Sequence, residues 1–288
     1  MTKRLAPWRL FLGSIGAASV LCSGAVWQEL RAQPAGNSAI PDFSPVWALM
    51  NGTAYFRVPG DAGPGPIMQR GKDYKHDDVP RVAETNNPIL KPWAKKLMDI
   101  NNQRVLAGDI PFYPTSRCWP GGVPGLLLYP GEPVFFIQTP KEVWIFYQRD
   151  SQIRRVYMNV PHSKNPAYSV YGESVGHYEN GDTLVVDTVG LDDSVPIDRY
   201  RTPHTKQLHV VERYRLNNGG KNIEIAFTVE DPGAFTMPWK GKVDFERGHG
   251  DRSGGPWVES ICADNPRDYF ADDIASAVPI PHADRPDF

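Results

Sequence analysis

Glu173 and His177 lie four residues apart in YGESVGHYENGDTLVVDTVG (171–190), an acid and an imidazole in a stretch otherwise rich in Val, Leu and Thr. An imidazole changes charge near neutral pH and suits general acid–base work, and a neighbouring carboxylate can orient it. A second acid, Glu212, interrupts an aliphatic and aromatic row in HTKQLHVVERYRL (204–216). Arg154 and Tyr147 add a guanidinium and a phenol, which could hold a carboxylate or phenolate and donate a proton. Such a set suits hydration or dehydration, decarboxylation or isomerisation of a small aromatic or unsaturated molecule. His177 would be the acid–base group, with Glu212 or Glu173 as its carboxylate partner and Arg154 and Tyr147 as substrate anchors.

Whether these groups meet depends on strand register. Asn180-Gly181 between two β-prone runs is a strong hairpin signal. A two-residue turn there sets His177 opposite Leu184, Val175 opposite Val186 and Glu173 opposite Thr188. Opposed residues share a face, as do residues two apart. Glu173 and His177 are therefore expected on the inward face with Val175, Leu184 and Val186. Ser174, Gly176, Tyr178, Val185 and Asp187 take the other face. The next long strand turns Leu208, Val210, Glu212, Tyr214 and Leu216 inward, and leaves His209, Val211, Arg213 and Arg215 solvated. A tight turn at Asp150-Ser151 sets Arg154 opposite Tyr147, among Val143, Ile145, Val156 and Met158; a one-residue slip would bring in Arg155 instead. His204 shares a face with Glu212 and would line the barrel mouth. Trp239, in TMPWKGK, closes the barrel or stacks on a ligand.

A buried charge is usually paired, so these groups could simply satisfy one another. Charged and polar side chains from three hairpins converging on one apolar interior instead describe a small-molecule pocket. The same pocket without chemistry would make a carrier or sensor of small hydrophobic ligands. Other chemistries lack their signatures. The chain has no Gly-x-Ser-x-Gly elbow, Walker motif or dinucleotide fingerprint, and its Gly pairs precede no helix. No His falls in an HxH or HExxH pattern, so neither a metal nor another cofactor is expected.

The elements around these strands follow from composition. The 288 residues are 41% hydrophobic and 22% charged, with net charge -2, 28 Pro and 26 Gly. Abundant Pro and Gly favour short strands and long ordered loops, and the balanced charge gives no nucleic-acid footprint. Lys3, Arg4 and Arg9 precede an apolar stretch (10–26), and Ser23-Gly24-Ala25 offers a cleavage site. Residues 1–33 thus read as a signal peptide, with an uncleaved anchor as the alternative. The protein is expected to be periplasmic or secreted, touching membrane only through this segment. Cys118 and Cys262 remain after cleavage and read as one disulfide, the alternative being two buried free thiols. Residues 34–125 are expected to form a coil with one helix over 87–107, whose apolar stripe is Leu90, Trp93, Leu97 and Ile100. Strands are expected at 126–129, 134–138, 141–149, 152–160, 173–179, 182–188, 206–216, 222–230, 240–246 and 256–262, followed by a helix over 266–275. Many short strands with turns between them indicate an antiparallel barrel or sandwich occupying 126–288. Oligomeric state is not legible.

The pieces NPILKPWA (87–94), CWPGGVP (118–124), YGESVGHYENGDTLVVDTVG (171–190), TPHTKQLHVVERYRL (202–216), FTVEDPGAFTMPW (227–239) and CADNP (262–266) resemble a group of exported bacterial proteins. The likeness covers most of the mature chain. It implies a mainly β, lipocalin-like (calycin-type) barrel, an architecture whose members include ligand carriers and a few lyases, isomerases and cyclases. Fold alone does not choose among these activities.

Overall fold

Alternating burial along every long strand closes the chain into a barrel. The computed structural model describes residues 40–50, 55–60, 64–70, 82–109, 113–128, 133–248 and 262, all within one compact unit. Nine strands follow in order: β1 (Trp47–Leu49), β2 (Val134–Gln138), β3 (Glu142–Tyr147), β4 (Gln152–Met158), β5 (Glu173–Glu179), β6 (Thr183–Val189), β7 (His209–Asn217), β8 (Asn222–Glu230) and β9 (Trp239–Arg247). Neighbours in sequence pair in space, and β1 closes the circle against both β2 and β9. The protein is thus mainly β, with a lipocalin-like closed barrel. Val143, Ile145, Val156, Val186, Ile225 and Tyr214 fill its interior and are fully buried.

One joint breaks the antiparallel meander. β4 and β5 run parallel, with Val156 beside Ser174 and Met158 beside Gly176. Parallel neighbours cannot be joined by a tight turn, so residues 159–172 form a crossover loop. Its end is tied to the β6–β7 connection: the Ser169 N–H donates to Gly190 O (3.0 Å), and the Asp192 N–H donates to Ser169 O (3.0 Å).

The helix α1 (Pro92–Leu106) starts with Pro in its first turn, where no intrahelical donor is lost. Gly108, at φ 100°, follows its end. Its buried face differs from the expected stripe. Ala94, Met98, Asn102 and Val105 face the protein, whereas Trp93, Leu97 and Ile100 are exposed. Buried Asn102 explains the choice, because its amide pairs both ways with the Ala83 backbone (2.8 and 2.9 Å). Two other expectations need correction. Residues 126–129 were expected as a strand, but Gly125–Leu128 is a buried 3₁₀ turn. The coil expected before α1 contains β1. Cys118 and Cys262 are joined, with Cα atoms 5.4 Å apart. The expected leader, the C-terminal helix and the strand at 256–262, apart from Cys262, lie outside the described residues.

Candidate functional site

The barrel interior holds a polar network centred on Arg154. Val143, Ile145, Val156 and Met158 point inward around Arg154, and alternation along β4 brings its side chain in with them. Its partner across the turn is Ile145 rather than Tyr147. The loop has four residues, Gln148–Ser151, so the register moves by two and the face is kept. Arg154 (3% exposed) donates to both oxygens of Glu212 (0% exposed) at 2.9 and 2.5 Å. It also donates to Ser174 Oγ (3.2 Å), Thr188 Oγ1 (2.7 Å) and Tyr214 Oη (3.4 Å). Burial opposes the guanidinium charge, but the charge of Glu212 beside it raises the Arg154 pKa above its ordinary value. Tyr147 is also inward and buried, and desolvation raises its pKa. The network is packed among buried apolar side chains. It reads as a satisfied structural ion pair.

His177 and Glu173 are not part of it. Three residues, Asn180 to Asp182, separate the paired Glu179 and Thr183, so the turn is one residue longer than a two-residue hairpin. That single residue flips β5 while leaving β6 in place. Ser174, Gly176 and Tyr178 face inward, and His177 stands outside, its side chain 52% exposed and 3.0 Å from Glu179. Gly176 makes the choice physical: a Cβ there would lie 2.7 Å from Val185 O and 2.8 Å from Val156 Cγ1. Gly176 lets β4 and β5 approach where a side chain would not. The His204 position also differs. It precedes β7 instead of extending it, and its buried ring lies 2.8 Å from Val195 O and 3.1 Å from Thr205 O. Trp239 begins β9 inside the core, edge-on to Phe227 and Phe235, and so closes the barrel.

Outside the barrel, the flip assembles a second constellation. Asp187 on β6 pairs with Val211 on β7, which puts His209 two residues away on the same outer face. His209 Nε2 lies 2.9 Å from Asp187 Oδ1. The crossover loop lowers His162 onto the same oxygen, with Nε2 at 3.0 Å, while its Nδ1 lies 3.1 Å from Glu173 Oε1. Glu173 holds the loop itself, accepting from the Ser163 N–H (2.7 Å) and the Ser163 hydroxyl. Glu173, expected inside beside His177, instead works outside beside His162.

No protein-family model matches the chain, and no curated protein matches it.

The hydrogen bond to Asp187, helped by the Asp187 and Glu230 charges, raises the His209 pKa above its ordinary value. Hydrogen bonding from His209 and His162 lowers the Asp187 pKa, and that from Ser163 lowers the Glu173 pKa. Both nitrogens of His162 are within hydrogen-bond range of carboxylates. His209 Nδ1 lies 3.5 Å from Glu230 Oε2, so its two nitrogens also face carboxylates, the bond to Asp187 being the shorter. Asp187 thus orients His209 through Nε2, and Glu230 stands at Nδ1. His209 also lines a groove of about 440 Å³ between the crossover loop and the β6–β7 connection. Because the two histidines turn their nitrogens to one Asp187 oxygen, they bond to that carboxylate instead of opening a ligand cage. Among the described residues no group of His, Cys, Asp or Glu is placed to hold a metal ion. Sequence reading left His209 among solvated positions and did not single out His162. Asp187 and His209 on one outer face were available as a signal; His162, in an aperiodic loop, offered none.

Proposed function

We propose that this is an exported acid–base enzyme of the lyase or isomerase type, acting on a small aromatic or unsaturated molecule in the outer groove. The observation that carries the reading is His209: Asp187 orients the ring through Nε2 at 2.9 Å, Nδ1 makes a longer, 3.5 Å approach to Glu230, and the ring lines the groove. A raised pKa favours His209 as the proton donor in the first step. In a dehydration, its Nδ1 proton goes to the departing hydroxyl. The C–O bond breaks with its electrons on oxygen, and Nδ1 takes the proton from the adjacent carbon as the double bond forms. The joined Cys118 and Cys262 support an oxidising compartment, in keeping with the apolar N-terminal stretch.

The test incubates the full chain with aromatic acids, phenylpropanoid dimers and terpenoid acids, followed by mass spectrometry. His209→Asn and His177→Asn run alongside. Gain or loss of water, or loss of carbon dioxide, is expected with wild type and His177→Asn but not with His209→Asn. Undiminished turnover in His209→Asn overturns the assignment. Recovery of every compound unchanged overturns the enzyme reading, and saturable binding without change would identify a carrier.

A further inference from the structure

The groove beside His209 carries more cationic character than proton transfer needs. Lys164 from the crossover loop and Lys206 from the β6–β7 connection both line it, and neither has a carboxylate partner among the described residues. Lys206 Nζ lies 5.5 Å from the centre of the exposed Tyr168 ring, so an ammonium and an aromatic face are presented side by side. Pro166 and Val189 add apolar wall. The opposite character gathers around His209, where Asp187 and Glu230 stand. The groove therefore has a cationic, aromatic part and a part flanked by carboxylates. Gly190 permits this closeness: at φ 70°, a Cβ there would stand 3.0 Å from Ala167 O and 3.1 Å from Pro166 Cβ.

We infer that the groove takes a planar aromatic or unsaturated molecule bearing a carboxylate, with Lys164 and Lys206 holding the carboxylate and Tyr168 the planar body. The inference rests on the reading of this groove as the functional site, and it orients the ligand. Asp187 and Glu230 repel a carboxylate from the His209 end. The charged group therefore turns to the lysines, and the carbons next to it face the imidazole. Uncharged analogues lose the lysine contacts and that alignment.

Isothermal titration of the full chain with cinnamate, and with cinnamyl alcohol as the uncharged analogue, tests this. Cinnamate is expected to bind saturably, more tightly than the alcohol, and more weakly as salt rises. Lys164→Met and Lys206→Met should each weaken cinnamate about two- to fivefold, the scale of an exposed ion pair, without changing alcohol binding. Absence of saturable cinnamate binding, equal affinity for acid and alcohol, or lysine variants that bind cinnamate like wild type each overturn the inference. Lysine-dependent binding of cinnamate with no acid turned over would sink the enzyme reading and leave the carboxylate site standing. Turnover of neutral compounds, unchanged in the lysine variants, would do the reverse.

Discussion

Replacing Glu212 with leucine leaves the Arg154 guanidinium charged inside the barrel with no counter-ion. The structure sets the size of the effect. Glu212 is fully buried, and the pair is bidentate at 2.9 and 2.5 Å. Removing one member of such a pair costs ~3–5 kcal/mol, because the remaining charge stays desolvated. Ser174 and Thr188 continue to accept from Arg154, which places the loss near the lower end, ~3 kcal/mol. With a urea slope of ~3 kcal/mol per M, the unfolding midpoint should fall by about 1 M. Arg154→Met alone leaves the carboxylate stranded and should cost at least as much. The double variant, Arg154→Met with Glu212→Leu, removes both charges and replaces them with apolar volume. It should lose less than either single variant, a coupling of ~3 kcal/mol or more in a double-mutant cycle. Urea unfolding followed by tryptophan fluorescence and by circular dichroism measures all four proteins. A Glu212→Leu variant within ~1 kcal/mol of wild type, or a double variant that loses the sum of the two single losses, would refute the structural ion-pair reasoning.

The His209–Asp187 pair makes stability depend on pH at both ends. His209 has a raised pKa, so its contribution is full below the unfolded value of 6.5 and is lost as pH rises through the folded value. Asp187 has a lowered pKa, so its contribution is full above 3.8 and is lost as pH falls through the folded value. Urea midpoints against pH should show a loss on the alkaline side that disappears in His209→Asn, with Glu230 and His162 as the other titrating neighbours; an unchanged profile would refute the pairing. Reducing the Cys118–Cys262 bond opens a loop with sequence separation 144. It should lower stability by at most about 4–5 kcal/mol in the chain-entropy limit, read as a lower urea midpoint in reductant and no reductant effect in Cys118→Ser. A methyl at Gly241 collides with the Phe227 ring, so Gly241→Ala should lose ~1–3 kcal/mol in the same assay, whereas Gly60→Ala, with nothing within 4 Å and no left-handed φ, should lose less.

Pattern alone carried the barrel far. The strands 134–138, 173–179 and 222–230 were legible at the bounds they have in the structure, the last from its period-2 alternation after Gly219-Gly220. Inward Arg154, Glu212 and Tyr147 were legible too, because each interrupts a long apolar row that has only one face to bury. The failure at His177 came from a turn count. A three-residue loop at Asn180 to Asp182 differs from a two-residue one by a single position, and β5 offers no strong pattern to resist the change. Its inward set, Ser174, Gly176 and Tyr178, is scarcely more apolar than its outward set. What decides is the close approach of β4, a contact between strands joined in parallel through a loop. His162, Lys164 and Tyr168 sit on that aperiodic loop, and their position follows from where the loop lands.

The parallel joint of β4 and β5 divides the barrel into two stretches of chain, and it divides the groove with them. Asp187, Lys206 and His209 belong to the C-terminal stretch; His162, Lys164 and Tyr168 ride on the loop between the stretches. The β5–β9 meander pairs strand to strand in chain order, and the joint is what ties it to the β2–β4 stretch. A chain that has folded only that meander carries Asp187 and His209 but no His162 against them, and half a groove. Cutting the backbone within 164–168 and supplying the two pieces separately would therefore yield ligand binding only on reassembly. The groove is in this sense a built-in report that the barrel has closed.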